Sequence, residues 1–182
     1  MALGSIPNDI RVPLVYIDID NSEALSGTPA LAQKVLVIGQ QLATGNAVPL
    51  ELNRITTSES LMDDLYGKGS MLARTLKMFR GNNIYTDVYA LGIEDLGATA
   101  ATSEIAVTTT TASAGVIYLL IAGESVQVTV KDGDDADAIA TAIIAAITED
   151  ETLPVSAALK SGETDQVVLT CKWTGITGND ID

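Results

Sequence analysis

The sequence predicts two folded units, the first α/β and the second α+β, preceded by an extended N-terminal arm. Helix and strand patterns alternate up to residue 97, whereas strand patterns dominate after it. The charge changes at the same place: residues 1–97 carry 7 basic and 11 acidic side chains, and residues 98–182 carry 3 and 13. Aromatic residues also become scarce, because only Tyr118 and Trp173 follow residue 97. We therefore predict an arm over residues 1–20, an α/β domain over 21–97 and an α+β domain over 98–182.

The predicted arm has a strand pattern without a local partner. The run "VPLVYIDID" at residues 12–20 is long enough for a strand, and Val15, Ile17 and Ile19 form one of its two faces. One proline lies within this stretch and another lies before it, and no turn signal links the stretch to a following strand. The segment therefore pairs either with the edge of its own domain's sheet or with another chain.

The predicted α/β domain contains three strands, "KVLVIG", "LELNRI" and "IYTDVYAL". The first is a continuous apolar run, which is typical of strands in a sheet that is covered on both faces. Between the second and third strands, "TTSESLMDDLYG" predicts a helix. Thr56 and Glu59 have the spacing of a capping box at its start, and Gly67 is placed to end it.

A second helix is predicted in "SMLARTLKMFRGN". Leu72, Leu76 and Phe79 fall on one face of this helix, and Gly81 is predicted to end it. Because the helices lie between strands in the chain, we expect at least some parallel pairing in the sheet of this domain.

The predicted α+β domain contains five strands and one helix, in the order β-β-β-α-β-β. "IAGESVQVTV" has the pattern of a hairpin with Gly123 in the turn. In "DGDDADAIATAIIAAIT", isoleucines spaced by four residues predict a helix face, with Asp134 or Asp135 as the N-cap. "LPVSAALKSGETDQVVLTCKW" adds two strands around a Ser-Gly turn. This order predicts a mostly antiparallel sheet with one helix across a face.

Composition and spacing argue against several kinds of site. The chain has no histidine and one cysteine, which excludes Ser-His and Cys-His nucleophiles, imidazole-bound zinc and internal disulfides. A net charge of −14 disfavours nucleic acid, and no apolar stretch approaches the length of a membrane span. "DGDDADA" lacks the spacing of a calcium loop, and "VIGQQLATGN" lacks the ending of a phosphate loop. We predict no catalytic residue, no metal and no cofactor, and we expect Cys171 and Trp173 to be buried core residues.

Three stretches of the sequence are distinctive. They are "IPNDIRVPLVYIDIDNSEALSG" near the N-terminus, "KVLVIGQ", and "LMDDLYGKGSMLARTLKMFRGNN" with its Gly-x-Gly-Ser-Met-Leu-Ala core. Together they resemble the tail sheath proteins of contractile phages of the Mu type, including prophage copies. The second half, with "IAGESVQVTV" and "TGITGND", looks like the insertion domain of those proteins. Because sheath proteins of this family are considerably longer, the resemblance implies an N-terminal piece that lacks the C-terminal polymerisation region.

The resemblance implies a mechanical role and no enzymatic activity. Sheath subunits stack as six-fold rings around a tail tube, and their contraction drives the tube through the host cell envelope. The implied partners are other sheath subunits, the tube protein and the baseplate. The implied location is the virion tail after assembly in the host cytoplasm, and the piece alone is expected to be a monomer or weak oligomer. The arm then becomes a strand that a neighbouring subunit's sheet can accept. Its candidate inter-subunit residues are Val12, Leu14, Val15, Tyr16, Ile17 and Ile19.

Two other function classes stay open. The acidic, Thr-rich second half suits a surface- or carbohydrate-binding module, which glycan binding would reveal. A hydrolase that uses two carboxylates is formally possible, although nothing in the sequence marks out a particular pair.

Overall fold

The computed structural model describes residues 33–95 and 97–181, which lie within one compact unit. This part of the chain is a mixed α/β structure in which two groups of buried residues form separate hydrophobic clusters. The strands are β1 Lys34–Gln40, β2 Leu52–Ile55, β3 Asp87–Ile93, β4 Ala100–Ala106, β5 Gly115–Ile121, β6 Glu124–Val130, β7 Val155–Leu159 and β8 Gln166–Thr174. The helices are α1 Glu59–Tyr66, α2 Met71–Asn82 and α3 Ala136–Glu149, and a short 3-10 helix spans Ile176–Asp180.

Residues 33–95, called here the N-terminal half, form a three-stranded sheet with α2 against one face. The strand order is β1-β3-β2, with β1 parallel to β3 and β2 antiparallel to it. The predicted parallel pairing is therefore confirmed. Tyr66, Leu72, Leu76 and Val88 are completely buried between helices and sheet. Burial of such side chains is the main term that stabilises this layer.

Each of the two helices of the N-terminal half differs from its prediction at one end. The capping box of Thr56 and Glu59 is wrong, because α1 begins at Glu59 and Ser58 is the N-cap, whose Oγ accepts from the Leu61 N–H. Ser is the better N-cap of the two residue types, which agrees with the choice of Ser58 over Thr56. The predicted end at Gly81 is also wrong, since α2 continues through Asn82 and Asn83 is the C-cap. A Cβ at Gly81 would meet nothing within 4 Å, so this glycine sits at an open, solvent-facing position of the last turn.

Residues 97–181, called here the C-terminal half, form two sheets where one was predicted. β8 pairs on both of its edges, in the antiparallel order β4-β8-β7, and β5 and β6 pair as a separate hairpin. Among the described strands, the hairpin pairs with neither β4 nor β7, the outer strands of that sheet. α3 packs against β6, β7 and β8 and begins at the predicted N-cap Asp135. The buried cluster includes Val128, Ile143, Ile147 and Val167.

The two residues expected in the core are buried in β8. Cys171 and Trp173 are each about 5% exposed, and the indole N–H of Trp173 donates to Thr177 Oγ1 at 3.1 Å. Burial raises the pKa of the Cys171 thiol, which disfavours the reactive thiolate. Both predictions are therefore confirmed, and Trp173 does not form an exposed platform. In the part of the chain that the structure describes, none of the helices has the length and apolar character needed to cross a membrane.

Candidate interaction surfaces and the junction between the halves

The residues predicted to form an inter-subunit strand lie outside the described part of the chain. They are Val12, Leu14, Val15, Tyr16, Ile17 and Ile19, and the structure begins its description at residue 33. The pairing of this strand therefore stays a prediction. What the structure does describe is the set of surfaces that another polypeptide can reach.

One face of the sheet in the N-terminal half is apolar and exposed. Val35 and Val37 of β1 pack against the helix side, whereas the alternating Leu36 and Ile38 are 52% and 53% exposed. Leu52 of β2 lies opposite Leu91 of β3, and Ile38 lies on the other side of Leu91, so these three side chains form one row. The sequence predicted that both faces of β1 are covered by other elements, whereas the described residues cover only one face.

The same sheet has strand edges that another strand can reach. β3 occupies the centre, so β1 and β2 each have one edge that is unpaired among the described strands. An exposed strand edge offers a row of N–H and C=O groups to an incoming strand. Strand addition of this kind is a common way for proteins to bind extended peptides.

The hairpin of the C-terminal half also has an exposed apolar stripe. Val116, Tyr118 and Leu120 alternate along the outer face of β5, and Tyr118 and Leu120 are 66% and 70% exposed. Their cross-strand partners on β6 are polar: Thr129, Gln127 and Ser125. The inner face of the same hairpin instead contributes Val126, Val128 and Val130 to the core. The outer face therefore combines an aromatic ring with hydroxyl and amide groups.

The Gly-x-Gly-Ser stretch connects α1 to α2 and lies at closely packed positions. Gly67 has φ of +86° at the C-cap of α1, and a Cβ there would come within 2.9 Å of Leu42 Cβ. Gly69 has φ of +75°, and a Cβ there would clash with the backbone oxygen of Leu153. Ser70 is fully buried, and its Oγ accepts from the Ala73 N–H at 3.0 Å to cap α2. The stretch therefore shapes the helix connection and also lets the C-terminal half approach it.

Arg74 of α2 makes the most extensive contact between the halves. Its guanidinium donates to Glu124 Oε1 at 2.8 Å, to the Thr152 carbonyl at 3.0 Å and to the Ala122 carbonyl at 3.2 Å. The Arg74 side chain is only 16% exposed, so these bonds are partly shielded from water. Charge-assisted bonds in such a setting are stronger than those on an open surface.

A second contact between the halves centres on Thr174 at the end of β8. Asp95 accepts hydrogen bonds from both the backbone N–H and the hydroxyl of Thr174. Gln40 donates to the Thr174 carbonyl at 3.0 Å, and its Oε1 accepts from the Thr177 hydroxyl at 3.2 Å. The end of β1 and the segment after β3 thus hold the end of β8 through side chains.

A third contact joins Lys68 to Glu151 at 2.6 Å. The Lys68 ammonium lowers the pKa of the Glu151 carboxyl, and Glu151 in turn raises the pKa of Lys68, in both cases through their hydrogen bond and charge attraction. Nearby Lys172 donates to the Glu151 carbonyl at 2.7 Å, and burial lowers the pKa of Lys172. Both members of the Lys68–Glu151 pair are more than half exposed, so water and salt screen the pair.

The carboxylates near this contact lie among lysine side chains. Asp63, Asp64 and Glu151 line a cleft of about 610 Å³, together with Lys68 and Lys172. Asp63 accepts from Lys77 at 2.7 Å, and the pKa of Glu151 is lowered, whereas a general acid at neutral pH needs a raised pKa. The cleft therefore favours charge pairing between the halves over proton transfer.

The acidic stretch before α3 serves local structure. Asp135 Oδ1 accepts from the Ala138 N–H, and Asp134 Oδ2 accepts from the Lys131 N–H. Asp137 accepts from the Thr164 hydroxyl at 2.8 Å. Within residues 33–95 and 97–181, no group of three His, Cys, Asp or Glu side chains is arranged to hold a metal ion.

No model of a protein family matches this chain. Over 183 aligned positions, which include the whole of this chain, it is 38% identical to the Mu-like prophage FluMu tail sheath protein of Haemophilus influenzae. The resemblance to tail sheath proteins of the Mu type is confirmed. The chain spans 37% of the length of that sheath protein.

Sequence reasoning found the sheath motifs but missed the residues at the junction between the halves. The partners of Arg74 and Lys68 lie between 48 and 83 positions away in the chain, so no local pattern marks them. The one signal available was the glycine pair of the Gly-x-Gly-Ser stretch. Two glycines around a helix start often indicate a close backbone approach, although the approaching segment cannot be read from the sequence.

Proposed function

We propose that this chain is part of a structural subunit of a contractile phage tail sheath. The similarity over its whole length to a tail sheath protein is the observation that carries the proposal. In this role the subunits stack as six-fold rings around the tail tube, above a baseplate. Contraction of the rings drives the tube through the host envelope and so serves host cell penetration and genome ejection. Assembly takes place in the host cytoplasm, and the product is part of the virion tail.

Within this proposal, the arm at residues 12–19 is a strand donated to a neighbouring subunit. Support comes from its alternating apolar residues and from the edges of β1 and β2 that no other described strand occupies. A donated strand adds backbone hydrogen bonds to an existing sheet without requiring a rigid interface. Subunits linked in this way can rotate and slide relative to one another while they stay connected, as contraction requires.

Sedimentation of the full-length protein tests this proposal. We expect the wild-type protein to form particles that pellet at high speed, and a variant without residues 10–20 to stay in the supernatant. Asp18→Ala is the matched control, because it changes one side chain of the arm and keeps its apolar face. Equal pelleting of the deletion variant would rule out the donated strand. A wild-type protein that stays monomeric across a range of salt concentrations would contradict the sheath assignment itself.

A second candidate function is a surface- or carbohydrate-binding module in the C-terminal half. The outer face of the hairpin supports it, because an exposed tyrosine beside amide and hydroxyl groups suits sugar rings. In this case the chain should bind a defined set of glycans on an array, and Tyr118→Ala should abolish the signal. Binding that Tyr118→Ala leaves intact, or an absence of binding, would remove this candidate.

A further inference from the structure

The two halves of the described chain are connected by side-chain hydrogen bonds and ion pairs, by the close approach of the Leu153 backbone to Gly69, and by one covalent link. No strand of the N-terminal half pairs with a strand of the C-terminal half in residues 33–95 and 97–181. The two hydrophobic clusters are separate, and each is made of residues from one half. The polypeptide passes from one half to the other once, between β3 and β4. Separation of the halves would therefore break no strand pairing among the described strands and would divide neither hydrophobic cluster.

The hydrogen bonds and ion pairs that join the halves converge on a few residues. We use the name polar seam for Arg74 with Glu124, Ala122 and Thr152, for Asp95 and Gln40 with Thr174 and Thr177, and for Lys68 with Glu151. Interfaces of this polar kind between parts of a chain resemble transient interfaces between proteins.

Arg74 has a special position in the polar seam. Its single guanidinium contacts two separate segments of the C-terminal half, the β5–β6 turn and the segment after α3. Lys68–Glu151 is exposed and therefore weak, whereas Arg74 is largely buried. Loss of Arg74 would leave the Glu124 carboxylate and two backbone carbonyls without this donor.

We propose that the polar seam is a separable joint, positioned by Arg74, at which the C-terminal half can leave the N-terminal half while both cores stay folded. Gly69 sets the closed arrangement, because its missing side chain lets the Leu153 backbone approach the α1–α2 connection. Charge pairs in the seam make the joint sensitive to ionic strength. This inference does not depend on the sheath assignment.

Residue-resolved hydrogen exchange of the 182-residue chain tests the joint. The Thr174 N–H reports on the seam, since it donates to Asp95 of the other half at 2.9 Å. The Val128 and Ile143 amides report on the core of the C-terminal half. We expect Arg74→Met to accelerate exchange at Thr174 by at least about tenfold and to leave the core amides unchanged.

Arg54→Met is the matched control, because Arg54 pairs with Asp87 within the N-terminal half and is 69% exposed. It should change neither reporter. An increase in salt concentration from about 50 to 500 mM should also accelerate hydrogen exchange at the Thr174 amide of the wild-type chain. If exchange accelerates equally at the Thr174, Val128 and Ile143 amides, the two halves share a single cooperative core and the joint does not exist. If exchange at Thr174 is unchanged in Arg74→Met, Arg74 does not hold the joint. If Arg74→Met does not fold, hydrogen exchange at the same three amides is measured in Glu124→Gln and in the wild-type chain at each salt concentration, and these measurements distinguish the same outcomes.

Discussion

Gly67 and Gly69 show how one residue type meets two different demands within three positions. Both have positive φ, which residues with a Cβ adopt at a cost. Gly67 makes room for Leu42 and Thr44 of its own half, whereas Gly69 makes room for the backbone of Leu153 in the other half. The sequence marks both glycines as part of a distinctive motif. It does not tell which segment approaches them, because that depends on contacts with residues far away in the chain.

We expect Gly69→Ala to be more destabilising than the same change at Gly133. Gly133 has φ of +90°, but a methyl group added there would meet no atom within 4 Å, so Gly133→Ala carries only the backbone cost of about 1–2 kcal/mol. Gly69→Ala adds a clash with Leu153 and with the Lys172 ammonium, which lies 2.8 Å from the added carbon. Urea unfolding of the two variants measures the difference. Equal losses would mean that the close approach at Gly69 has no energetic weight.

The Lys68–Glu151 contact gives a pH prediction at the scale of one residue. Folding lowers the pKa of Glu151, so the contact contributes stability at pH values above the ordinary pKa of glutamate and loses it as the pH falls through the lowered value. An NMR titration of the Glu151 carboxyl should therefore give a midpoint below that of a free glutamate. Lys68→Met should raise the midpoint, and Lys34→Met, on β1, should leave it unchanged. A midpoint that Lys68→Met does not move would assign the shift to another cause.

At the scale of elements, the hairpin of β5 and β6 combines a predicted and an unpredicted feature. The sequence predicted the turn from Gly123 and the alternation of the β6 valines, and both are present. It did not predict that Ala122 also has positive φ, at +52°. Positive φ at both Ala122 and Gly123 is the pattern of a type I′ turn, one of the two turn types whose twist matches that of the flanking strands. Ala122 adopts this conformation although positive φ is sterically unfavourable for a residue with a Cβ, and its carbonyl accepts a hydrogen bond from Arg74.

Ala122→Gly should therefore stabilise the chain by about 0.5–1 kcal/mol, because glycine adopts this conformation without steric cost. The Ala122 carbonyl that accepts from Arg74 is part of the backbone and stays in place. Ala145→Gly in α3 is the control, and it should destabilise by about 1 kcal/mol because this position is exposed and lies in the interior of the helix. Thermal unfolding of both variants tests the pair. A loss of stability in Ala122→Gly would show that strain at this turn is not significant.

The elements themselves could largely be predicted from the sequence, and their arrangement only in part. Alternation marked the strands, and isoleucines spaced by four marked α3. The starting residue of α1 was wrong because the spacing of Thr56 and Glu59 was followed, although Ser58 is an equally available and stronger N-cap. The division of the C-terminal strands into two sheets was missed because β8 uses both of its edges, a choice that local patterns do not record.

At the scale of the whole molecule, a domain boundary near residue 97 stays a prediction. Separate hydrophobic clusters in the two halves and the polar seam between them favour it. Limited proteolysis of the 182-residue chain should cut between residues 97 and 102 first and leave two resistant pieces. The pieces should separate more readily at high salt, since charged contacts join them. Protection of this stretch until the whole chain is degraded would contradict the boundary.

The proposal that this chain is part of a contractile sheath subunit is tested most directly by electron microscopy of the assemblies that the full-length protein forms. Support comes from the similarity to a sheath protein and from the edges of β1 and β2 that no other described strand occupies. Images of the purified full-length protein should show tubular polymers whose cross-sections have six-fold symmetry. A reconstruction should place residues 12–19 as an added strand on the sheet of an adjacent subunit. Discrete particles without tubes, under conditions in which the protein is folded, would contradict the account.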